Sequence, residues 1–403
     1  MKLKFKYLYN FEQFFFLLFL IILFFPKIDL IEIPPYWQGI RLEDISLAIY
    51  AIILLFNYDE KIVNNKSVKK FTIIFCYFIL IFFSAFIGKI SELPVDNIIL
   101  IRVIEYILVI ILLCNLKISK DNIVMLLKFY VAFNIGMIIL QKQSLIGSFT
   151  SIGYLSPDHP QNLRAIGLTG GSWELGVIFS LCYFILIKIE KPSLIRISIY
   201  FLIALIINVF SENRMNAIGF ILANLFLFKN YLNTKTYILI FLSLLIVGSF
   251  FLLNYQDLNN TSLDRLMGTN YIDAFLLVRD YFLFLEIPNR DDLDTSLWSL
   301  YYRISLWDSL LTPYLENFFT VVFGGGPYRI YFESTILRVI FTTGLIGVVF
   351  VIYHMRKLEL YLVVYFLTVG ITLDIFNSFK IFSFTMLYYI LLYENYSYRR
   401  NRH

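Results

Sequence analysis

Long apolar runs recur along this 403-residue chain, and they restrict its fold more than any other feature. Hydrophobic residues make up 59% of the chain, against about 45–50% in soluble domains. A helix needs about 20 apolar residues to cross a bilayer. Twelve runs in this chain reach that length when a few flanking residues are added. We therefore expect an all-α integral membrane protein with about 12 transmembrane helices. The predicted helices cover roughly 11–26, 43–57, 71–88, 98–115, 122–141, 173–190, 194–210, 215–229, 236–254, 332–353, 358–376 and 379–395.

The orientation follows from the distribution of lysine and arginine. If the amino terminus is cytoplasmic, the two termini and the loops with their flanking helix ends on the cytoplasmic side hold 19 Lys and Arg residues, and the short outer segments hold 7. Cytoplasmic loops carry the excess of positive charge in membrane proteins. We therefore predict a multi-pass protein of the cytoplasmic (inner) membrane with both termini in the cytoplasm.

The outer side differs from the cytoplasmic side in the kind of cation as well as the number. Fourteen of the 19 cytoplasmic cations are Lys, whereas eight of the 12 outer ones are Arg. Arginine presents a planar, permanently charged fork that binds carboxylate or phosphate through two hydrogen bonds. This bias predicts an anionic ligand at the outer face, with arginines that only reach the membrane surface as the alternative.

One outer segment is far longer than the others and has its own helical pattern. It covers residues 255–331 within a single membrane domain, 1–403. Residues 269–288 and 295–315 have the pattern of amphipathic helices at a membrane surface. A short apolar run, 318–323, follows and ends in three glycines. Long loops with internal structure are usually functional.

Four polar clusters lie on the predicted outer side. They are "RAIGLTGGSWE" (164–174), "SENR" (211–214), "YYRISLW" (301–307) and "GGGPYRIYFESTILR" (324–338). Their candidate site residues are Arg164, Glu174, Arg214, Arg303, Gly324, Gly326, Arg329, Glu333 and Arg338. Arg338 lies about 7.5 Å below Glu333, from five residues of helical rise, and an ionisable group at that depth is a functional candidate.

Each cluster also has a purely structural interpretation. The first fits a turn before a helix, with Glu174 favouring the helix dipole. The second fits the polar tip of a hairpin. In the third, Arg303 and Trp307 are four residues apart and can form a cation–π pair. In the fourth, Arg338 can extend outward to the membrane surface.

The order of the four clusters is more informative than any one of them. Together with the long outer loop and "RLEDISLAIYAIILL" (41–55), it resembles the O-antigen polymerase and ligase superfamily of bacterial envelope glycan assembly. The resemblance covers nearly the whole chain and rests on spaced single residues. It implies the fold of that superfamily and transfer of a glycan from a polyprenyl-pyrophosphate carrier to an acceptor sugar on the outer face.

The resemblance also implies roles for the site residues. Arg164 and Arg214 match the outer-face arginines, Arg303 matches the long-loop arginine, and all would grip pyrophosphate. The ligase branch has a histidine where this chain has Glu333 or Ser334. This difference favours a polymerase with Glu333 as the general base.

The expected partners are a lipid-linked oligosaccharide, membrane lipid and a chain-length regulator protein, with no nucleic acid. The three cysteines all fall in apolar runs, and none has metal-ligand spacing, so neither a metal nor another cofactor is expected. The alternatives are a ligase-type transferase and a flippase or other transporter of lipid-linked oligosaccharide.

Overall fold

The computed structural model describes most of the predicted helical segments. The described residues are 8–26, 29–31, 39–56, 71–116, 119–150, 153–154, 156, 166–211, 213–229, 271–284, 289, 293, 297–328, 334–371, 373–375 and 378–400.

Helices dominate the described residues, which confirms the all-α prediction. The first seven are α1 (Leu8–Phe24), α2 (Leu42–Phe56), α3 (Thr72–Ile90), α4 (Asn97–Asn115), α5 (Lys120–Lys142), α6 (Ser172–Glu190) and α7 (Leu194–Phe210). The next seven are α8 (Arg214–Phe228), α9 (Tyr271–Phe284), α10 (Trp298–Glu316), α11 (Phe318–Phe323), α12 (Thr335–Met355), α13 (Leu360–Gly370) and α14 (Phe379–Arg400). Two short antiparallel strand pairs accompany them: β1 (Asp29–Ile31) with β2 (Ile40–Arg41), and β3 (Phe149–Thr150) with β4 (Gly153–Tyr154).

The helices coincide with eleven of the twelve predicted apolar stretches, and the stretch at 236–254 lies outside the described residues. By length and composition, α5, α6 and α12 are long and apolar enough to cross a membrane. Among the described residues, six other apolar helical stretches are 10–17 residues long. Helices α9 and α10 occupy the two regions predicted to be amphipathic.

Polar residues at the helix ends explain several of the boundaries. Ser119 accepts a hydrogen bond from the Asn122 amide (3.2 Å) at the start of α5, and Asn317 accepts one from the Phe319 amide (2.9 Å) at the start of α11. Such caps satisfy amides that have no partner within the helix. Helix α6 ends at Glu190, and the next residue, Lys191, has a left-handed backbone (φ 46°).

The contacts divide the chain into two compact units. Unit 1 comprises 1–78, 101–213 and 375–403, and unit 2 comprises 79–100 and 214–374, so two of the four boundaries fall inside α3 and α4. The single-domain prediction stays a prediction.

Unit 1 is built around α6. Its side chains from Glu174 to Ile187 are all buried, and α5, α7 and α14 pack against it. Helix α14 is buried from Phe379 to Leu391, and its Phe382 stacks on Tyr106 of α4 with ring centroids 4.4 Å apart.

Unit 2 has two packed parts. Helix α8 packs along α13, where the Tyr365 hydroxyl donates to the Asn216 side chain. Helices α9 and α10 form an apolar cluster that includes Leu93, Trp307 and Phe341. This cluster packs part of the predicted long outer loop against the segment after α3 and against α12.

Candidate functional site

Charged residues meet at one end of unit 1. Arg102 of α4 donates to the carboxylates of Asp44 (2.5 Å) and Glu105 (2.8 Å) and to the carbonyl oxygen of Gly39 (3.3 Å). Glu43 lies beside them, 3.9 Å from the Arg41 guanidinium. All of these side chains are buried or nearly so. A charge this deep is tolerable only when it is paired and hydrogen-bonded, and Arg102 is both.

Lys380, at the start of α14, joins three parts of the chain at the same end. It is 1% exposed. Its ammonium group donates to the carbonyl oxygens of Phe25 (2.6 Å) and Leu168 (2.8 Å). The carbonyl groups that end α1 have no partner within the helix, so the lysine supplies a donor for one carbonyl just past that end.

Glu174 holds the glycine-containing turn in place. Its carboxylate accepts hydrogen bonds from the Gly170 amide and the Ser378 hydroxyl, and its side chain is fully buried. From α5, the Asn134 side chain accepts from the Leu168 amide (3.0 Å). The predicted substrate-binding role of Glu174 stays a prediction, and the contacts describe a carboxylate that positions the turn before α6.

The unit 1 charged cluster, defined as Arg41, Glu43, Asp44, Arg102, Glu105, Glu174 and Lys380, is close to neutral. Three cations face four carboxylates, a formal sum of −1 when every group is ionised. The cations therefore neutralise acids of the same cluster, and the cluster offers no surplus of positive charge to an anion. An anionic ligand would depend on the predicted arginines outside it.

A second ion pair lies toward the other ends of α5 and α6, away from the unit 1 charged cluster. Lys128 pairs with Glu190, which also accepts a hydrogen bond from Tyr200 of α7 (2.9 Å). The end of α6 that carries Glu174 and the end that carries Glu190 therefore have separate polar networks.

In unit 2, Arg338 pairs with Asp374, whose side chain is 1% exposed. Two further hydrogen bonds hold the same helix ends together: Ser334 donates to the Gly370 carbonyl (3.1 Å) and Thr335 to the Leu373 carbonyl (2.8 Å). The predicted substrate-binding role of Arg338 stays a prediction, and its guanidinium has a buried carboxylate as partner.

The predicted glycines of the three-glycine turn lie between two helices. Gly324 and Gly326 have left-handed backbones (φ 85° and 82°). A Cβ atom on Gly324 would lie 2.2 Å from the Thr342 carbonyl oxygen, and one on Gly326 would lie 2.5 Å from the Ala85 Cα. Because glycine has no Cβ atom, the backbone at these two positions can lie directly against α12 and α3. Their predicted contact with a substrate stays a prediction.

Arg303 lies half-buried on α10. Trp307, one turn later, belongs to the apolar cluster of α9 and α10. Nearby, the Tyr281 hydroxyl donates to Asp308 (3.3 Å). Burial, together with that negative charge, raises the pKa of Tyr281, so its hydroxyl remains a donor at neutral pH.

The remaining candidates lie outside the described residues. They are Arg164, Arg329 and Glu333; Arg214 begins α8, but its side chain is not described.

Sequence reasoning did not select several residues that the structure brings together, notably Asp44, Asp374, Ser378 and Lys380. Each lies at the edge of an apolar run. A charge at that position can lie in water or inside the bundle, and only the three-dimensional partner distinguishes the two.

Comparisons with protein-family models, with curated proteins and with solved structures find no match for this chain. Any functional assignment therefore rests on the residues and contacts described above.

Proposed function

We propose that this chain is a polysaccharide polymerase of the cytoplasmic membrane. It would transfer a growing glycan from polyprenyl pyrophosphate to the acceptor sugar of a lipid-linked repeat unit, and would span the membrane about 12 times. The observation that carries the proposal is the ordered series of polar clusters around a long loop that contains its own packed helices.

The arrangement of helix ends supports the topology that the proposal needs. In unit 1, polar contacts join the predicted outer ends of α2 and α4, and others join those of α1, α6 and α14, whereas Lys128 and Glu190 pair in the predicted cytoplasmic halves of α5 and α6. In unit 2, Arg338 and Asp374 pair at the predicted outer ends of α12 and α13. Both pairings agree with alternate crossing of a membrane.

The chemistry requires a base and an anion-binding group. The acceptor hydroxyl attacks the anomeric carbon of the growing chain, the bond from that carbon to the pyrophosphate oxygen breaks, and the proton passes to Glu333. Polyprenyl pyrophosphate leaves with its negative charge, which Arg164, Arg214 and Arg303 would stabilise. Glu174 does not replace Glu333, because it is fully buried with both oxygens hydrogen-bonded.

The first test is polymerisation of purified lipid-linked repeat units by the reconstituted protein. Glu333→Gln keeps the shape of the side chain and removes the base, so we expect a loss of about 10²–10⁴-fold at an unchanged amount of folded protein. Polymer formation within a few-fold of wild type would exclude Glu333 as the base.

The second test uses Arg303→Lys, with Arg279→Lys as its matched control. Lysine cannot form the two-pronged contact with phosphate, so polymer should shorten or disappear in the first variant. Arg279 is exposed on α9 and pairs with the adjacent Asp280, so its variant should resemble wild type. Full-length polymer from the Arg303→Lys variant would show that Arg303 is only a surface charge and does not bind pyrophosphate.

One observation favours a second candidate, a transporter of lipid-linked oligosaccharide. Helix α12 is interrupted at Gly344, which has φ 61° and ψ −163°, and interrupted helices are common at the substrate sites of transporters. Reconstituted vesicles distinguish the two functions. A transporter moves lipid-linked repeat units across the bilayer without joining them, whereas a polymerase joins them without net movement.

A further inference from the structure

The segment that ends the long loop runs down the side of α3 within unit 2. At its start, the Asn317 side chain donates to the Ser91 hydroxyl (2.7 Å). At the end of α11, the Phe323 carbonyl accepts from the Ser84 hydroxyl. Ser84 and Ser91 are seven residues apart, which corresponds to about 10 Å along a helix. Helix α11 therefore descends about 10 Å along α3 from the end of that helix.

The glycines then turn the chain, and it returns along the same helix. Gly326 lies against Ala85, and Gly325 lies against Gly88, where a Cβ on Gly88 would be 1.8 Å from the Gly325 oxygen. The Pro327 carbonyl accepts from the Asp96 amide (2.7 Å), beyond the end of α3. Residues 317–327 thus form a hairpin whose tip is beside the interior of α3.

Helix α12 gives an independent measure of the same depth. The Gly325 amide donates to the Phe341 carbonyl (2.9 Å) and the Gly326 amide to the Thr342 carbonyl (3.1 Å). Thr342 lies seven residues after the start of α12 at Thr335, about 10 Å along the helix. The two helices therefore agree on the depth of the tip.

The break in α12 explains how the tip can be held there. In an uninterrupted helix, the Phe341 and Thr342 carbonyls accept from the amides four residues later. The non-helical backbone of Gly344 interrupts that ladder, and the amides of the glycine turn supply donors instead. Backbone that is not helical is tolerated at membrane depth only where it is enclosed by protein in this way or lines a water-filled cavity. Gly324, Gly325 and Gly326 are all buried.

The outward side of α11 is apolar. Phe318 is 73% exposed and Phe319 is 59% exposed. Phe323 packs edge-on against Phe83 of α3, with ring centroids 5.3 Å apart. Phe83 and Phe86 are themselves exposed on α3, so the exposed face of α11 continues an exposed apolar face of a helix predicted to cross the membrane.

We infer that residues 317–327 are a re-entrant membrane hairpin, in which α11 enters the bilayer beside α3 and Phe318 and Phe319 contact lipid acyl chains. Three observations carry the inference: two helices give the same depth, the backbone of the tip is enclosed, and the exposed surface is apolar. The interpretation of residues 317–327 as part of a loop wholly outside the membrane changes accordingly. The inference does not depend on the polymerase proposal, because it concerns contact with lipid alone.

The test measures the depth of spin labels in liposomes. Labels are attached at cysteines introduced at Phe318 and Phe319, in a background with Cys76, Cys114 and Cys182 replaced. Phe86 on α3 provides the lipid-facing control, and Ser309, exposed on α10, provides the aqueous control. Residues 318 and 319 begin α11, so labels there should approach Phe86 in collision rate with oxygen and should collide with a water-soluble nickel chelate far less often than a label at Ser309.

A collision rate with the nickel chelate equal to that at Ser309 would overturn the inference. Phe319→Trp provides a second measurement that preserves an aromatic side chain if the labelled variants fail to fold. Its added fluorescence should be quenched by lipids brominated on the acyl chain, after subtraction of the signal from the native tryptophans. Equal fluorescence in brominated and ordinary lipid would also overturn the inference.

Discussion

Single charged residues at the edges of the apolar runs join helix ends within each unit. Arg102 contacts two carboxylates, Lys380 contacts two carbonyl groups, and Arg338 contacts Asp374. The partners of these three residues are distant in sequence or lie on another helix, except Glu105, which is on the same helix as Arg102. These contacts specify which helix ends meet, because a buried charge without its partner costs far more than the pair.

The Arg338–Asp374 pair gives a prediction that separates structure from catalysis. Removing one partner leaves a buried charge, so Arg338→Met or Asp374→Leu should each destabilise unit 2 by about 3–5 kcal/mol. The double variant should recover most of that loss. Thermal unfolding in detergent measures all four proteins. If the double variant is stable and still polymerises, Arg338 is a structural residue and does not bind substrate.

Lys380 gives a second prediction at this scale. Lys380→Met keeps a similar length but leaves the Phe25 and Leu168 carbonyls without the ammonium donor. An unsatisfied buried polar group costs about 1–3 kcal/mol, so the melting temperature should fall clearly. The control is Lys357→Met, since Lys357 is exposed and stacks over Tyr353 at 4.1 Å. Equal melting temperatures for the two variants would contradict the prediction.

At the level of elements, apolar runs predict the helices well. Runs such as 173–190 and 194–210 nearly coincide with α6 (Ser172–Glu190) and α7 (Leu194–Phe210), because an apolar run of this length must satisfy its backbone internally. The hairpin around α11 could not be predicted. Its mostly apolar run of six residues is too short to indicate insertion, and its partners, Ser84 and Gly88, lie more than 200 positions earlier.

The packing of this hairpin predicts a large difference between two glycines. Gly88→Ala would place a Cβ 1.8 Å from the Gly325 oxygen, whereas Gly136→Ala meets nothing within 4 Å. Overpacking of this kind typically costs about 1–3 kcal/mol, and alanine is favoured over glycine in an open helix by about 0.8–1.0 kcal/mol. Gly88→Ala should therefore lower the melting temperature, and Gly136→Ala should leave it unchanged or raise it. A stable Gly88→Ala protein would argue against the contact.

The candidate site could be predicted only in part, for a related reason. Spacing along the chain selected Arg338 and Glu174, but it gave no indication that Asp374 and Ser378 are their partners. Those partners lie 36 and 204 positions away. Hydrophobic periodicity describes one element at a time, whereas a buried ion pair depends on how elements meet.

At the scale of the whole molecule, the charge bias and the helix ends lead to one testable topology. Gln143 is exposed just after α5, on the predicted outer side. Ser193 is exposed just after α6, on the predicted cytoplasmic side. Cysteines introduced as Gln143→Cys and Ser193→Cys, with the exposed Cys76 replaced by serine, report their sides. An impermeant thiol reagent should label residue 143 in cells whose outer barrier is open. It should label residue 193 only after the cytoplasmic membrane is permeabilised.

The opposite labelling pattern would invert the predicted topology. Labelling of both residues in intact cells would contradict alternate crossing of the membrane by α5 and α6. A cysteine at Asn122, exposed at the start of α5, serves as the matched control because it should behave like residue 193.

The burial of α6 has a consequence for how the protein tolerates mutation. In its most apolar window 78% of residues are buried, against 33% in α5 and in α12. A side chain enclosed on every side must fit several neighbours at once, because protein interiors are close-packed. Random substitution should therefore find few acceptable residues along α6, even among apolar ones. On α5 and α12, exchanges among leucine, isoleucine, valine and phenylalanine should be widely accepted, and a saturation library scored for folded protein would reveal this contrast.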